Sequence, residues 1–570
     1  MSAGAIDTRE SAGGYDLYYN HKGKLWAILG TLMVAMLLSA LDQMIFGTAM
    51  PKIVGELDGV EHMLWVTTAY ILAVTLTMPL YGKLSDIIGR KWLLVIGISI
   101  FIIGSVLGGL ATDMTMLIAG RAIQGIGGGG LMILAQATIS DVIPVAKRGK
   151  YMGLIGGTFG ISSVLGPVLG GWFTDTVGWR WAFWMNLPLA AVSLILIFAF
   201  LVPSSSEKDA SASKVKFDYL GTITMMVAVT SLVLFTSWGG TEYEWGSPVI
   251  IGLIIGFFVF TAAFILVELR ASDPLIPLTF FKSKNFTLAT IVGLLLGVGM
   301  FGTLGYLPTL LQIQYETGAT NSGLLLLPMM AGLILMSLIS GQIVSKTGDY
   351  KTLPVIGAAV AVVGVFLLST ISLDTPLWAV GVYMFIFGMG LGMIMQQLVL
   401  IVQQSAGHSH VGVATSTNNF FREIGASLGG AFVGALFTNA LTNNLKENLP
   451  AEALAGHSMS SLTPEIIAGL PTPIKEVIIS AYNSALTPVF LYLVPVFILG
   501  FVALLFVQKR AIVDESADSV IIEEEARHAA AMEGAAGKYV MGKNGKLVLA
   551  SLSEKVSSQT SSVNIQYGYN

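Results

Sequence analysis

The sequence predicts an all-α protein threaded repeatedly through a bilayer. Three observations carry that prediction. The 570 residues are 54% hydrophobic and 11% charged, with mean hydropathy +0.76, whereas soluble chains carry about 25% charge. Apolar windows recur fourteen times, each near the roughly 20 residues that cross a bilayer as a helix. Lysine and arginine also segregate into alternate loops, as the positive-inside rule requires of a polytopic protein. The even number of spans matters, because an odd count would scramble that segregation.

The windows fall at 25–48, 63–83, 92–111, 115–138, 150–172, 182–202, 218–238, 248–268, 287–312, 321–345, 353–372, 377–402, 411–438 and 486–508. Eighteen basic positions, from Lys22 to Arg510, fall on one side of the alternating count. Only Lys52, Arg180, Lys446 and Lys475 fall on the other. Both termini are therefore expected in the cytoplasm, and the protein is expected as a multi-pass component of the cell membrane. No cleavable signal pattern stands among the polar residues before the first window, so that span is expected to direct its own insertion. The segment near 442–482 is longer than the other loops and is expected outside, with a short amphipathic cap. The polar tail from about 509 reads as largely without fixed structure. Within it, Asn544-Gly545 between apolar-leaning arms reads as a small hairpin at best.

Composition excludes several functions. Net charge is −4, which argues against nucleic acid as a partner. There are no cysteines, which excludes disulfides and thiolate metal sites. The six histidines are scattered without ligand spacing, and no cofactor or metal is expected. Gly127–Gly130 lacks the lysine-serine ending of a phosphate loop and lies inside a span. An enzyme is not expected.

Two hairpins repeat one pattern. Gly82-Lys83-Leu84-Ser85-Asp86-Ile87-Ile88-Gly89-Arg90-Lys91 joins the second and third windows. Gly341 to Gly348 reproduces its glycine spacing, with Ser345 where the first copy has Asp86. Glycines let neighbouring helices turn and pack closely. Asp86 and Arg90 are placed to latch helix ends that separate in a conformational change, and Asp141, at the end of the fourth window, could pair with Arg90.

Ionisable side chains inside lipid are costly, and each is a functional candidate by default. Asp42 lies well inside the first window, in its outer half at about 1.5 Å per residue. A hydrated helix-end carboxylate is the bland alternative. Arg121 enters the fourth window from the opposite side and should reach comparable depth, as partner or competitor of Asp42. Arg422 and Glu423 are adjacent near the middle of the thirteenth window. Successive helix residues diverge by about 100°, so one is expected to line a central cavity and the other to pack against a neighbour. Glu423 is a second candidate for protons or a cationic substrate, with a structural ion pair as its alternative. Gln43, Gln124, Asn418 and Arg422 are candidate cavity residues. Gly166-Pro167-Val168-Leu169-Gly170-Gly171 reads as a kinked, close-packing helix.

Taken together, Leu41-Asp42…Pro51, the Gly82–Lys91 loop, Arg121…Gly125, Gly166–Gly171, Arg422…Gly425 and Ala481-Tyr482…Pro488-Val489-Phe490 resemble the fourteen-helix drug:proton antiporter family of the major facilitator superfamily. The resemblance covers nearly all of 25–508. It implies the major facilitator fold: a six-helix bundle over 25–202, a linker with two extra transmembrane helices over 203–286, and a second bundle over 287–508. Residues 1–24 and 509–570 would be cytoplasmic ends. Gly166, Pro167, Gly170 and Gly171 resemble that family's antiporter signature. Asp42 would carry the proton with Arg121 as partner, and Gly82, Asp86, Gly89, Arg90 and Lys91 would form the latch. Met44 stands where the family often has threonine. The implied activity is export of lipophilic, often cationic compounds, such as antibiotics, against inward proton flow, by a chain expected as a monomer. An exporter of one metabolite, peptide or amino acid would share this scaffold, and a non-transporting sensor or scaffold is the reading from another class.

Overall fold

A computed structural model describes residues 21–57, 62–201, 217–315, 324–406, 410–448, 467, 471–509, 539–541 and 547–549. The chain divides into a unit of Met1–Ala511 and a second of Ile512–Asn570. In the first unit the helices follow one another as α1 (Lys22–Glu56), α2 (Met63–Ile88), α3 (Arg90–Gly109), α4 (Met114–Val142), α5 (Val145–Asp175) and α6 (Trp181–Phe200, stepped at Met185). Then come α7 (Tyr219–Trp238), α8 (Pro248–Glu268), α9 (Lys284–Gln314, stepped at Gly305), α10 (Leu327–Thr347) and α11 (Thr352–Leu368). The series ends with α12 (Leu377–Ala406), α13 (Val411–Asn448) and α14 (Thr472–Leu505). Thirteen of these are long and apolar enough to cross a membrane, and the 17-residue α11 is the fourteenth apolar helix.

Local chemistry fixes the helix ends. Asp113 caps α4 by accepting Met116 N at 2.9 Å, and Asp218 caps α7 by accepting Gly221 N at 2.8 Å. Each satisfies a donor that the first helical turn leaves open. Gly89 (φ +95°) and Gly348 (φ +68°) end α2 and α10 in the left-handed region, where a side chain is strained. The two hairpins thus share a backbone feature as well as a spacing.

Helices α1–α6 form one bundle and α9–α14 the other. They meet where α2 packs on α13 and α5 on α10 and α12. The glycine run in α4 permits close packing: a Cβ on Gly127 would lie 2.4 Å from Gly97 O of α3. Helix α5 continues through Pro167 without a break as one helix. Gly166 faces α1 there, where its Cβ would lie 2.4 Å from Met44 Cβ, so Met44 packs the crossing of α1 and α5.

The two extra helices lie at the seam. Helix α7 packs on α2 and α13, with Trp65 and Trp238 rings 5.3 Å apart and Thr236 Oγ1 2.8 Å from Ser427 Oγ. Helix α8 packs on α7 and leaves most of its surface, including Ile255 and Phe258, outside the protein. Its uniformly apolar sequence suits lipid contact on nearly every side.

Helix α14 begins at Thr472, one long polar-flecked stretch before the expected 486. Ile478, Ala481 and Tyr482 pack there on Leu441 and Leu445 of α13 and on Ile313. This tertiary packing extends α13 and α14 beyond their apolar windows and stands where a cap was expected. Most of the 442–482 loop, the linker 204–216 and the acidic run at 523–525 lie outside the described residues. In the second unit, Tyr539–Met541 and Leu547–Leu549 pair antiparallel, the small hairpin read from the sequence.

Candidate transport site

Asp42 and Arg121 meet in the core of the first bundle, as their depths predicted. Arg121 Nη1 donates to Asp42 Oδ2, and also to Gln124 Oε1 at 2.8 Å. Gln124 Nε2 and Asn186 Nδ2 donate to Asp42 Oδ1 at 2.7 and 3.0 Å. Both amides also donate to Ser105 Oγ, at 2.8 and 3.3 Å. Side chains from α1, α3, α4 and α6 thus converge, and all are buried. Arg121 Cζ lies 4.1 Å from the ring centroids of both Phe46 and Tyr70, so two aromatic faces add cation–π attraction to the ion pair. A paired, hydrogen-bonded arginine and carboxylate can be held where isolated charges could not.

This arrangement corrects one expectation. Gln124 serves Asp42 and does not line the cavity. Its side chain is directed to Asp42 of α1 and Ser105 of α3, where the Gly104 backbone lets α3 and α4 approach closely. Ser105, Tyr70 and Phe46 were not singled out in the sequence. A serine or tyrosine in an apolar span carries no signal until the helix rotations are known.

The cavity lies on the other side of Tyr70. A narrow chamber, about 660 Å³ counting its open side, is lined by residues of both bundles, among them Ser39, Gln43, Tyr70, Thr158, Arg422 and Glu423, with five methionines. It adjoins a wider space of about 1340 Å³, counting its open side, and Gln43, Phe301 and Glu423 line both. The wider space runs past Thr68, Thr236, Trp245 and Asn439. Thr68, Thr236 and Asn439 lie toward the ends of α2, α7 and α13 remote from the Gly82–Lys91 hairpin, and Trp245 lies in the connection between α7 and α8. Gln43 is therefore placed as expected. Asn418 is not: it is buried, and its Nδ2 donates to Ala289 O of α9 at 3.2 Å.

Arg422 and Glu423 correct another expectation, because both line the same chamber. The chamber faces a broad arc of α13, and two long side chains 100° apart still fall within it. Among the described residues, neither has an ion-pair partner. The polar contact of Arg422 is Met132 Sδ at 3.8 Å.

The hairpin end is closed. Asp86 accepts Gly412 N at 3.0 Å and Val413 N at 2.9 Å, at the start of α13. Arg90 Nη2 lies 3.5 Å from Asp86 Oδ1 and Arg90 also pairs with Asp141. Helix contact is tight enough that a Cβ on Gly82 would lie 1.9 Å from Ser416 Oγ. The second hairpin closes on the first bundle by different chemistry. Ser345 Oγ accepts Lys150 N at 2.8 Å and donates to Lys147 O at 3.2 Å. A Cβ on Gly341 would lie 2.2 Å from Gly149 O. Lys91 departs from the expected latch: its ammonium lies over the Phe198 ring at 5.6 Å. Lys83, on the buried side, pairs instead with Asp273 beyond α8. Of the basic residues that break the charge asymmetry, Arg180 pairs with Glu56 and Lys52 donates to Thr174 O.

Two pseudo-equivalent clamps at one end and a cavity opening toward the other are the anatomy of a transporter caught in one conformation. The family profile described as Major Facilitator Superfamily matches residues 32–430. The chain belongs to the major facilitator superfamily. It is 40% identical over 408 residues to the multidrug transporter protein MdtP of Bacillus subtilis, covering 72% of this chain and 74% of that one. It is 38% identical over 494 residues to multidrug resistance protein 3 of the same organism, covering 85% and 95%. An uncharacterized MFS-type transporter of Mycobacterium tuberculosis is 39% identical, covering 85% and 70%. Solved structures share the fold at low identity. The human organic anion transporter MFSD10 superposes with a TM-score of 0.56 at 15% identity, covering 84% and 99%. The proton:xylose symporter XylE does so with 0.54 at 16% identity, covering 87% and 99%. This superfamily member is a membrane transporter rather than an enzyme, and several of its relatives are efflux pumps.

Proposed function

We propose that this transporter is a proton-coupled antiporter that exports lipophilic, cationic compounds by alternating access, in the cell membrane, as a monomer with both termini in the cytoplasm. On this reading the clamped end faces the cytoplasm, and the wide cavity opens outside. The observation that supports it most directly is the sealed Asp42–Arg121 site beside an apolar, methionine-rich chamber. A carboxylate that exchanges its arginine for a proton changes the charge of the first bundle by one unit without moving its backbone. Adaptable methionines and one carboxylate, Glu423, suit varied cations. The relatives named as multidrug transporters support export of varied drugs.

Alternating access would then run as follows. Proton loading of Asp42 from outside favours closure of the outer mouth and release of the clamps around Asp86 and Ser345. The inward-open cavity takes up substrate as the proton leaves toward the cytoplasm. A membrane potential of 100 mV supplies about 2.3 kcal/mol per charge, and one pH unit adds about 1.4 kcal/mol.

The test is substrate-induced proton release from inverted vesicles, using the lipophilic cation tetraphenylphosphonium. Wild type is expected to respond and Asp42→Asn to be silent. A normal signal in Asp42→Asn would move the proton site to Glu423. Absence of any signal from wild type would refute proton-coupled cation export.

A further inference from the structure

Arg422 is a charged donor group with no partner suited to it. Its side chain is 95% buried by exposure (5% relative accessibility), and an arginine stays protonated in a protein. Its polar contact, a thioether sulfur at 3.8 Å, is a weak acceptor. Glu423 stands next to it on α13 and the two charges attract each other, but among the described residues no direct ion pair joins them. Among the described residues, these are the only charged side chains lining either cavity. The rest of the chamber is largely apolar, with Ser39, Gln43, Tyr70 and Thr158 as its neutral polar side chains.

Burying an unpaired guanidinium is costly, and here its donors border the space that holds cargo. We infer that Arg422 is a carboxylate-reading residue and that the preferred cargo is an amphipathic zwitterion: an anionic group on Arg422, a cationic group toward Glu423 and an apolar body among the methionines. This deepens the proposed export function and rests on it for the identity of the chamber. A guanidinium fork matches a carboxylate with two parallel hydrogen bonds, whereas an ester offers no charge to it. A cavity evolved for cations alone would gain nothing from a buried arginine, which repels them.

The experiment uses the full-length protein in nanodiscs and one rhodamine dye in two forms. The free acid is a zwitterion at neutral pH, and its methyl ester is a cation of nearly the same shape. Fluorescence anisotropy titrations of both dyes give the acid-to-ester affinity ratio. Wild type is expected to favour the acid by about tenfold or more, in line with one charge-assisted contact. Arg422→Gln is expected to bring the ratio near one while ester affinity changes less than about threefold. Arg422→Lys, which keeps the charge but not the fork, is expected to fall between them.

A wild type that binds the ester as well as the acid, or that binds neither dye, overturns the inference. So does an Arg422→Gln protein that keeps the preference for the acid. Should Arg422→Gln fail to fold, the wild-type ratio and Arg422→Lys still decide. Tetraphenylphosphonium-induced proton release is read separately in vesicles. Proton-coupled export of that cation without acid preference leaves the proposed function standing and removes only the zwitterion.

Discussion

Replacing Asp86 with asparagine tests whether the clamp is a switch or simply part of the fold. In the closed state the Asp86 carboxylate accepts two backbone N–H groups of α13 and faces Arg90 at 3.5 Å. Hydrogen bonds to a charged group contribute about 1.5–3 kcal/mol each. Asparagine keeps one acceptor oxygen but loses the charge and sets an amide N–H against a backbone donor. The closed state should lose about 2–4 kcal/mol relative to one in which α13 has moved away, a shift of roughly 30- to 700-fold. The sequence has no cysteine, so spin labels can be placed on Ile88→Cys and Lys346→Cys without background. Ile88 and Lys346 are exposed, at the clamped ends of α2 and α10. Double electron–electron resonance on detergent-purified protein should show a short distance in wild type and a longer population dominating in Asp86→Asn, with little change in melting temperature. An unchanged distance distribution with a lowered melting temperature would refute the switch and make Asp86 an ordinary structural residue.

Three further outcomes are expected. Gly341→Leu, whose Cβ would meet Gly149 O at 2.2 Å, should block closure and abolish dye export while leaving the helical content seen by circular dichroism unchanged. Tyr70→Ala removes one of the two rings over Arg121 and should produce proton leak in vesicles without substrate, read as pH-dye quenching above that of wild type. Asp349 is pushed up by desolvation, but hydrogen bonds from Lys509, Thr352 and Lys351 outweigh this and hold its carboxyl below the usual carboxylate range. Because the folded value is the lower one, its contribution is present above the unfolded pKa of about 3.9 and fades as pH falls through it. Asp349→Asn should therefore lower the melting temperature at neutral pH, and the difference should shrink below about pH 4.

Much of the fold was legible because bilayer thickness imposes a length on every span, and apolar windows report that length directly. The repeated glycine spacing was legible for a related reason: Gly89 and Gly348 both need positive φ, which the sequence announces by residue type. The pairing of Asp42 with Arg121 followed from depth alone, since two opposite charges at one level in lipid must find each other. What depth could not supply was rotation. Gln124 and Asn418 look alike as polar residues in apolar helices, yet one holds a carboxylate and the other a backbone carbonyl of α9. Rotation is set by which glycines press against which neighbour, and that is a property of helix pairs. The extension of α13 and α14 past their windows was hidden similarly, because the contacts among Leu441, Leu445 and Tyr482 join segments far apart in the chain.

Tyr70 presents one face to Arg121 and lines the chamber as well, while its hydroxyl lies 3.3 Å from Ser39 Oγ. On the proposed mechanism, the wall between fuel and freight is thus a single aromatic ring thick. A change at this position that admits a new compound also alters the insulation of the charge pair behind it. Variation in what the protein carries is therefore freest on the α13 side of the chamber, and residue 70 is where a gain in cargo range is most tightly tied to loss of economy.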